Sequence, residues 1–218
     1  MAQVTKTFVV VDDHDSVLEG TCRVLQAQYP DAKISKARKA DDVPDLVQDV
    51  QPDLIVMDLS IPEHEGDTST TETGLNLLRS LLQDHPQLNV VVQSAHVKTL
   101  VRLKSLIDKH QAGFTIADKS LTSSKMLIKV DWALNGLVYT PPEMRLGLEV
   151  KPEWLEVLHL AFTEGRTDKA IAKEMDVAER TVRHYWTRVQ DALEVYPDEG
   201  INIRVQTYNK ARQMGLLD

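Results

Sequence analysis

Short apolar runs alternate with helical stripes through the first part of the chain. Residues 8–11 (Phe8-Val9-Val10-Val11), 54–57 and 90–92 carry no polar break, the pattern of parallel strands covered on both faces. Ile34 marks a weaker second strand and residues 114–116 a fifth. Between them lie amphipathic stretches at 16–29, 42–50, 74–82, 97–107 and 124–135, with apolar residues three and four apart. Asp42 offers an N-cap and Pro44 sits in the first turn of the second helix. Five strands alternating with five helices predict an α/β, doubly wound five-stranded parallel sheet. Gly136 is a C′ candidate for the last of these helices, and Pro141-Pro142 forbids regular structure soon after. From Pro152 onward the pattern is all-α, with helices predicted at 153–162, 168–175, 179–193 and 203–214 and Thr167 as an N-cap. The boundaries are therefore 1–136 for the sheet domain, 137–150 for a linker and 151–218 for the helical domain.

Four polar stations stand at or just past predicted strand ends: Asp12-Asp13, Asp58, Ser94 and Lys119. Open α/β sheets bind ligands at that edge. Carboxylates converging there repel one another and need a cation, and their oxygens suit octahedral Mg²⁺. Asp58 can then act as a carboxylate nucleophile toward a phosphoryl group. Lys119 would pair with the phosphoryl oxygens and Ser94 would hydrogen-bond to one of them.

Composition narrows the partners. The 218 residues are 42% hydrophobic and 27% charged with a net charge of −8, so any nucleic-acid contact must come from a local basic face. Cys22 is the only cysteine, which excludes an internal disulfide and a multi-cysteine zinc site. There is no transmembrane or signal-peptide pattern, and the expected location is cytoplasmic. A basic face does exist. Arg180, Arg183, His184 and Thr187 recur at helical spacing on the first half of the 179–193 helix, with Arg188 beyond them. Two helices joined by a tight turn at 176–178, the second one basic, read as helix-turn-helix.

Residues 1–136 resemble the CheY-like receiver domain of two-component response regulators through VVVDDHDSVLEG, LIVMDLSIP, GLNLLRSL, VVVQSAH and Asp118-Lys119-Ser120. The resemblance implies that Asp58 is both the phosphorylated residue and a Mg²⁺ ligand, and that Asp13 binds Mg²⁺ directly. It makes Asp12 a ligand largely through water and Ser60 the donor of a backbone carbonyl. Ser94 becomes the switch hydroxyl and Lys119 the phosphate-pairing lysine. Residues 151–218 resemble a LuxR/NarL-type DNA-binding domain through VLHLAFTEGRTDKAIAKEMDVAERTVRHYWTRV. That likeness implies that Arg183, His184 and Thr187 face base edges and that Arg180, Thr181 and Arg188 lie nearer phosphates. The final helix would pair two subunits through Val205, Tyr208 and Ala211, or pack back on its own domain.

Several positions depart from these families. The loop between Pro62 and Gly74 is longer by several residues, acidic and threonine-rich; it is either a tolerated insertion or a lid or partner surface beside Asp58. An aromatic usually stands three residues before the lysine, where this chain has Ile116, so either the strand is bulged or the aromatic switch is absent. Ala178 takes the place of a capping Ser, so the cap is lost unless Asp176 substitutes.

The implied function is a non-enzymatic, DNA-binding transcription regulator that acts as a homodimer and is activated when a sensor histidine kinase phosphorylates Asp58. Two alternatives share these residues. One is a phosphorylation-independent DNA-binding regulator controlled by a protein partner, and the other an adaptor whose C-terminal helices bind RNA polymerase.

Overall fold

The computed structural model describes residues 5–140, 151–197 and 200–217. The chain divides into two compact units. In the first, β1 (Thr7–Val11), β2 (Lys33–Ala37), β3 (Leu54–Met57), β4 (Asn89–Ser94) and β5 (Phe114–Asp118) alternate with α1 (Asp15–Gln28), α2 (Asp42–Val50), α3 (Thr71–Asp84), the short α4 (Lys104–Ile107) and α5 (Ser123–Leu134). A further strand, β6 (Val138–Tyr139), follows. The sheet runs β2-β1-β3-β4-β5-β6, with every neighbouring pair parallel. Strand order reverses between β1 and β3, which makes the C-terminal ends of those two strands the topological switch point.

The central strands carry the core. Phe8, Val9, Leu54, Ile55, Met57, Val90, Val91 and Phe114 are fully buried, as uninterrupted apolar strands require when helices cover both faces. One layer packs Leu18, Cys22 and Leu25 of α1 with Met126, Val130 and Ala133 of α5 against Phe8, Val10, Leu54 and Val56.

The sheet has six strands where the sequence predicts five. Gly136 at φ +73° turns the chain at the end of α5, with Leu137 N–H donating to Trp132 O at 3.0 Å. The chain thus re-enters the sheet edge, and Phe114 N–H donates to Leu137 O. Val138–Tyr139, assigned from sequence to the linker, is too short to show a period; residues 141–150 of that linker lie outside the described residues. The predicted 97–107 helix is mostly 3₁₀, over Val97–Leu103. Val97, Thr99 and Val101 are β-branched, which weakens α-helix there.

Two helix starts also move. Asp41, not Asp42, stands at the N-cap of α2 and makes no side-chain cap. The third helix begins at Thr71 rather than Gly74, because the Thr70 hydroxyl accepts from Thr73 N–H at 3.1 Å. Gly74 lies inside this helix for a packing reason: a Cβ there would fall 2.0 Å from Leu59 O. Its bare backbone is what lets α3 approach the residue after Asp58.

The second unit holds α6 (Pro152–Phe162), α7 (Asp168–Glu174), α8 (Glu179–Ala192) and α9 (Ile203–Gln213). Val157, Leu158, Leu160, Ile171, Val182, Trp186 and Val189 form its core. Thr167 caps α7 through Ala170 N–H. At the α7–α8 turn Asp176 takes φ +52° and Val177 N–H returns to Ala172 O at 2.9 Å, a left-handed helix ending. Ala178 leaves α8 without a side-chain cap. In α9, Ala211 is fully buried and Tyr208 packs on Phe162 at 5.3 Å. Two of the three stripe residues therefore face their own domain, and only Val205 is exposed. No helix among the described residues is long and apolar enough to cross a membrane.

Candidate functional site

The loops after β1, β3 and β5 meet at the switch point. Asp58 follows β3 directly, its N–H donating to Val11 O at 2.9 Å, while Asp12 N–H donates to Ala37 O. Both carboxylates are 3% exposed. Lys119, just past β5, reaches both, with Nζ 2.7 Å from Asp58 Oδ2 and 2.8 Å from Asp12 Oδ2. One ammonium therefore serves two buried acids. The remaining oxygens are occupied by backbone: Asp58 Oδ1 accepts from Leu59 N–H at 2.7 Å and Asp12 Oδ1 from His14 N–H at 2.9 Å.

Electrostatics follow from that sharing. Burial pushes the Asp12 carboxyl above its ordinary value, and its hydrogen bonds to Lys119 and His14 N–H only partly oppose this. Burial acts downward on Lys119, but Asp12 and Asp58 together outweigh it and hold the ammonium above its ordinary value. A site with two buried carboxylates and one cation is short of positive charge.

Asp13 stands beside this pair. Its Oδ1 is 2.6 Å from His14 Nδ1, and its Oδ2 accepts a short hydrogen bond from the Ser69 hydroxyl. Asp12, Asp13 and His14 bring one ligand atom each to within 4.8 Å of one another. Asp58 is not part of that group; it joins Asp12 through Lys119. Ser60 follows at a half-buried bend. Ser94 is completely buried at the end of β4, paired in register with Asp118. Its hydroxyl accepts from His96 N–H at 3.2 Å, and its carbonyl receives Lys119 N–H.

β5 runs in unbroken register with β4 (Ile116 opposite Val92, Ala117 opposite Gln93), so there is no bulge. Ile116 is 3% exposed, and no ring occupies the position three before Lys119.

The long loop after β3 is ordered against its neighbours. Ile61 and Thr70 form an antiparallel bridge, Ala40 N–H donates to Pro62 O at 2.9 Å, and His64 Nδ1 lies 2.5 Å from Asp41 Oδ2. That ion pair holds His64 above its ordinary pKa. Ser69 comes from this loop. Sequence reasoning missed it, since a serine in a polar insertion has no spacing that points at an acid 56 residues away.

In the helical unit, Arg180, Arg183, His184, Thr187 and Arg188 are exposed along α8 and Thr181 is half-buried. Val182, Trp186 and Val189 turn the opposite face inward. The three arginines pair with no acid among the described residues, leaving an uncompensated basic stripe. Behind it is a second missed cluster. Asp168 accepts from Trp186 Nε1 at 3.0 Å and from Arg204 at 2.8 and 3.2 Å. The Arg204 guanidinium lies 3.5 Å over the Trp186 ring, a cation–π contact. These groups fix α7, α8 and α9 to one another.

Residues 8–131 match the model of the response regulator receiver domain. The chain is 26% identical over 223 residues to the transcriptional regulatory protein YdfI of Bacillus subtilis, covering 96% of each chain. It is 28% identical over 209 residues to the glycerol metabolism activator of Pseudomonas putida, covering 87% of this chain and 90% of that one. Among solved structures, RcsB in a complex with DNA superposes with a TM-score of 0.58 at 19% identity, over 95% of this chain and 98% of that one. RcsB of Salmonella typhimurium gives 0.60 at 18%, over 95% and 100%. At these identities the likeness to RcsB concerns the two-domain fold. A parallel sheet with its acids and lysine at the switch point, and a family model matched across nearly all of that unit, make this chain a member of the response regulator receiver family.

Proposed function

We propose that this chain is a cytoplasmic, DNA-binding transcription regulator whose activity is set by phosphorylation of Asp58 by a sensor histidine kinase. The observation that carries this reading is the ammonium of Lys119 held between Asp58 and Asp12 at the switch point. On transfer, an Asp58 carboxylate oxygen forms the bond to phosphorus as the bond to the donor histidine nitrogen breaks. Lys119 already lies against the attacking group and can follow the charge to the phosphoryl oxygens. The Ser94 hydroxyl can give up its contact with His96 N–H and donate to one of those oxygens.

The donor set fits a hard divalent ion, because Asp12 and Asp13 present carboxylate oxygens close together beside the buried Asp58. Mg²⁺ held there supplies the positive charge that the two acids and one lysine lack. Asp13, Asp58 and the Ser60 carbonyl would hold it directly, Asp12 largely through water.

We assign residues 1–136 to the receiver, 137–150 mainly to the linker and 151–218 to the output domain. The exposed stripe of Arg180, Arg183, His184, Thr187 and Arg188, with Thr181, supports DNA as the ligand. Relatives named as transcription regulators and the solved RcsB–DNA complex support it as well. A homodimer is the active form, and the chain is a regulator rather than an enzyme. RNA polymerase is the further partner of such a regulator.

Ile116 favours a second reading, control by a protein partner without phosphorylation, since no aromatic ring at that position couples the acid edge to the output. One experiment separates the two. DNA occupancy across the genome is compared for wild type and Asp58→Asn. Occupancy that falls without the aspartate supports phosphorylation; occupancy unchanged by the substitution supports partner control.

A further inference from the structure

We infer that Ser69 is a positioning residue for divalent-cation binding, carried to the acid site by the inserted loop. The inference rests on the cation site proposed above and adds a residue to it.

The loop could have lain free on the surface, since extra length costs little chain entropy. Instead it is tied down at several points. The Ile61–Thr70 bridge closes its base. Ala40 N–H and Asp41 N–H donate to the carbonyls of Pro62 and Glu63 at 2.9 and 3.3 Å. The His64 ring adds the ion pair to Asp41. Thr70 then caps α3, so the segment beside it is fixed at both ends. Ser69 lies between these anchors and is partly buried, with its hydroxyl donating to Asp13 Oδ2.

Asp13 needs such a partner. It is on the connection between β1 and α1, and its other oxygen is engaged by the exposed His14 ring. A carboxylate oxygen has two lone pairs, so a hydroxyl donated to one leaves the other for a cation. The bond from Ser69 thus fixes the rotamer of Asp13 without competing for its ligand site. Hydrogen bonds to a ligating carboxylate commonly change metal affinity by about 10–100-fold. The loop therefore acts as a strap, in which His64 and Asp41 set its position and Ser69 transmits that position to the acid site.

The test is Mn²⁺ binding to the full chain, followed by the electron paramagnetic resonance of the free ion. Wild type, Ser69→Ala, Ser69→Thr, His64→Gln and Asp13→Asn are compared, with thermal melting in chelator as a control. The inference expects Ser69→Ala to bind about tenfold more weakly, Ser69→Thr to restore affinity, and His64→Gln to give a smaller loss, with melting unchanged for the two Ser69 variants. Ser69→Ala binding like wild type while Asp13→Asn loses the ion overturns the role of Ser69 and leaves the cation site standing. Equal affinity of wild type and Asp13→Asn overturns the site itself, and the role of Ser69 with it. A loss in Ser69→Ala that threonine does not restore, or that tracks a lower melting point, reduces the residue to loop structure and overturns the inference.

Discussion

Lys119 and Arg204 are both half-buried cations held by carboxylates, and they stand in opposite balance. Arg204 meets one acid, Asp168, in two hydrogen bonds, and that acid also takes the indole N–H of Trp186. The cluster closes on itself and ties helices together. Lys119 is shared between two acids that are almost fully buried. Its charge cannot neutralise both, and the folded chain retains a demand for more positive charge at that point. A satisfied polar cluster stabilises a fold, whereas an unbalanced one is ready to take a ligand.

Removing each cluster's key group should expose the contrast. Lys119→Met leaves two buried carboxylates unpaired and should cost about 3 kcal/mol in chelator, read by urea unfolding. The loss should shrink when Mg²⁺ is added and when the pH falls far enough to protonate the acids. A loss indifferent to both would mean that the lysine is merely structural.

Asp168→Ala should cost about 2 kcal/mol by stranding the indole N–H and the guanidinium, with no response to Mg²⁺. A magnesium-dependent effect there would erase the distinction between the clusters.

Arg183→Ala should lower affinity for DNA by about tenfold, as a lost base contact does, and leave unfolding unchanged. Fluorescence anisotropy at several salt concentrations checks this. An unchanged affinity would turn the α8 stripe into a solvated surface and favour the adaptor reading.

The smallest effect concerns His64. Its pKa is raised in the folded chain by Asp41, so its contribution to stability is complete below the unfolded value near 6.5 and is lost as pH rises through the folded value. Unfolding midpoints of His64→Gln should therefore vary less with pH above about 6.5 than those of wild type.

The contrast also explains what could be read in the sequence. The strand ends at Asp12, Asp58, Ser94 and Lys119 stood out because each terminates an apolar run, and the sheet brings three of the four into direct contact. Asp58 and Asp12 share the one Lys119 ammonium, a geometry that strand periodicity does not encode. Ser69 was hidden because the insertion has no repeat, and the Asp168–Trp186–Arg204 cluster because its members are 18 and 36 residues apart. β6 was hidden by its two-residue length. Periodicity reports which face an element buries; it is silent on contacts made by loops and on strands shorter than one repeat.

The central claim is that Asp58 accepts a phosphoryl group. Intact-mass measurement after incubation with acetyl phosphate and Mg²⁺ tests it most directly. The account predicts a gain of one phosphoryl group in wild type, none in Asp58→Asn, and a much reduced gain in chelator. A wild-type chain that stays unmodified while a known receiver is labelled in the same tube would contradict it, as would a label that survives Asp58→Asn.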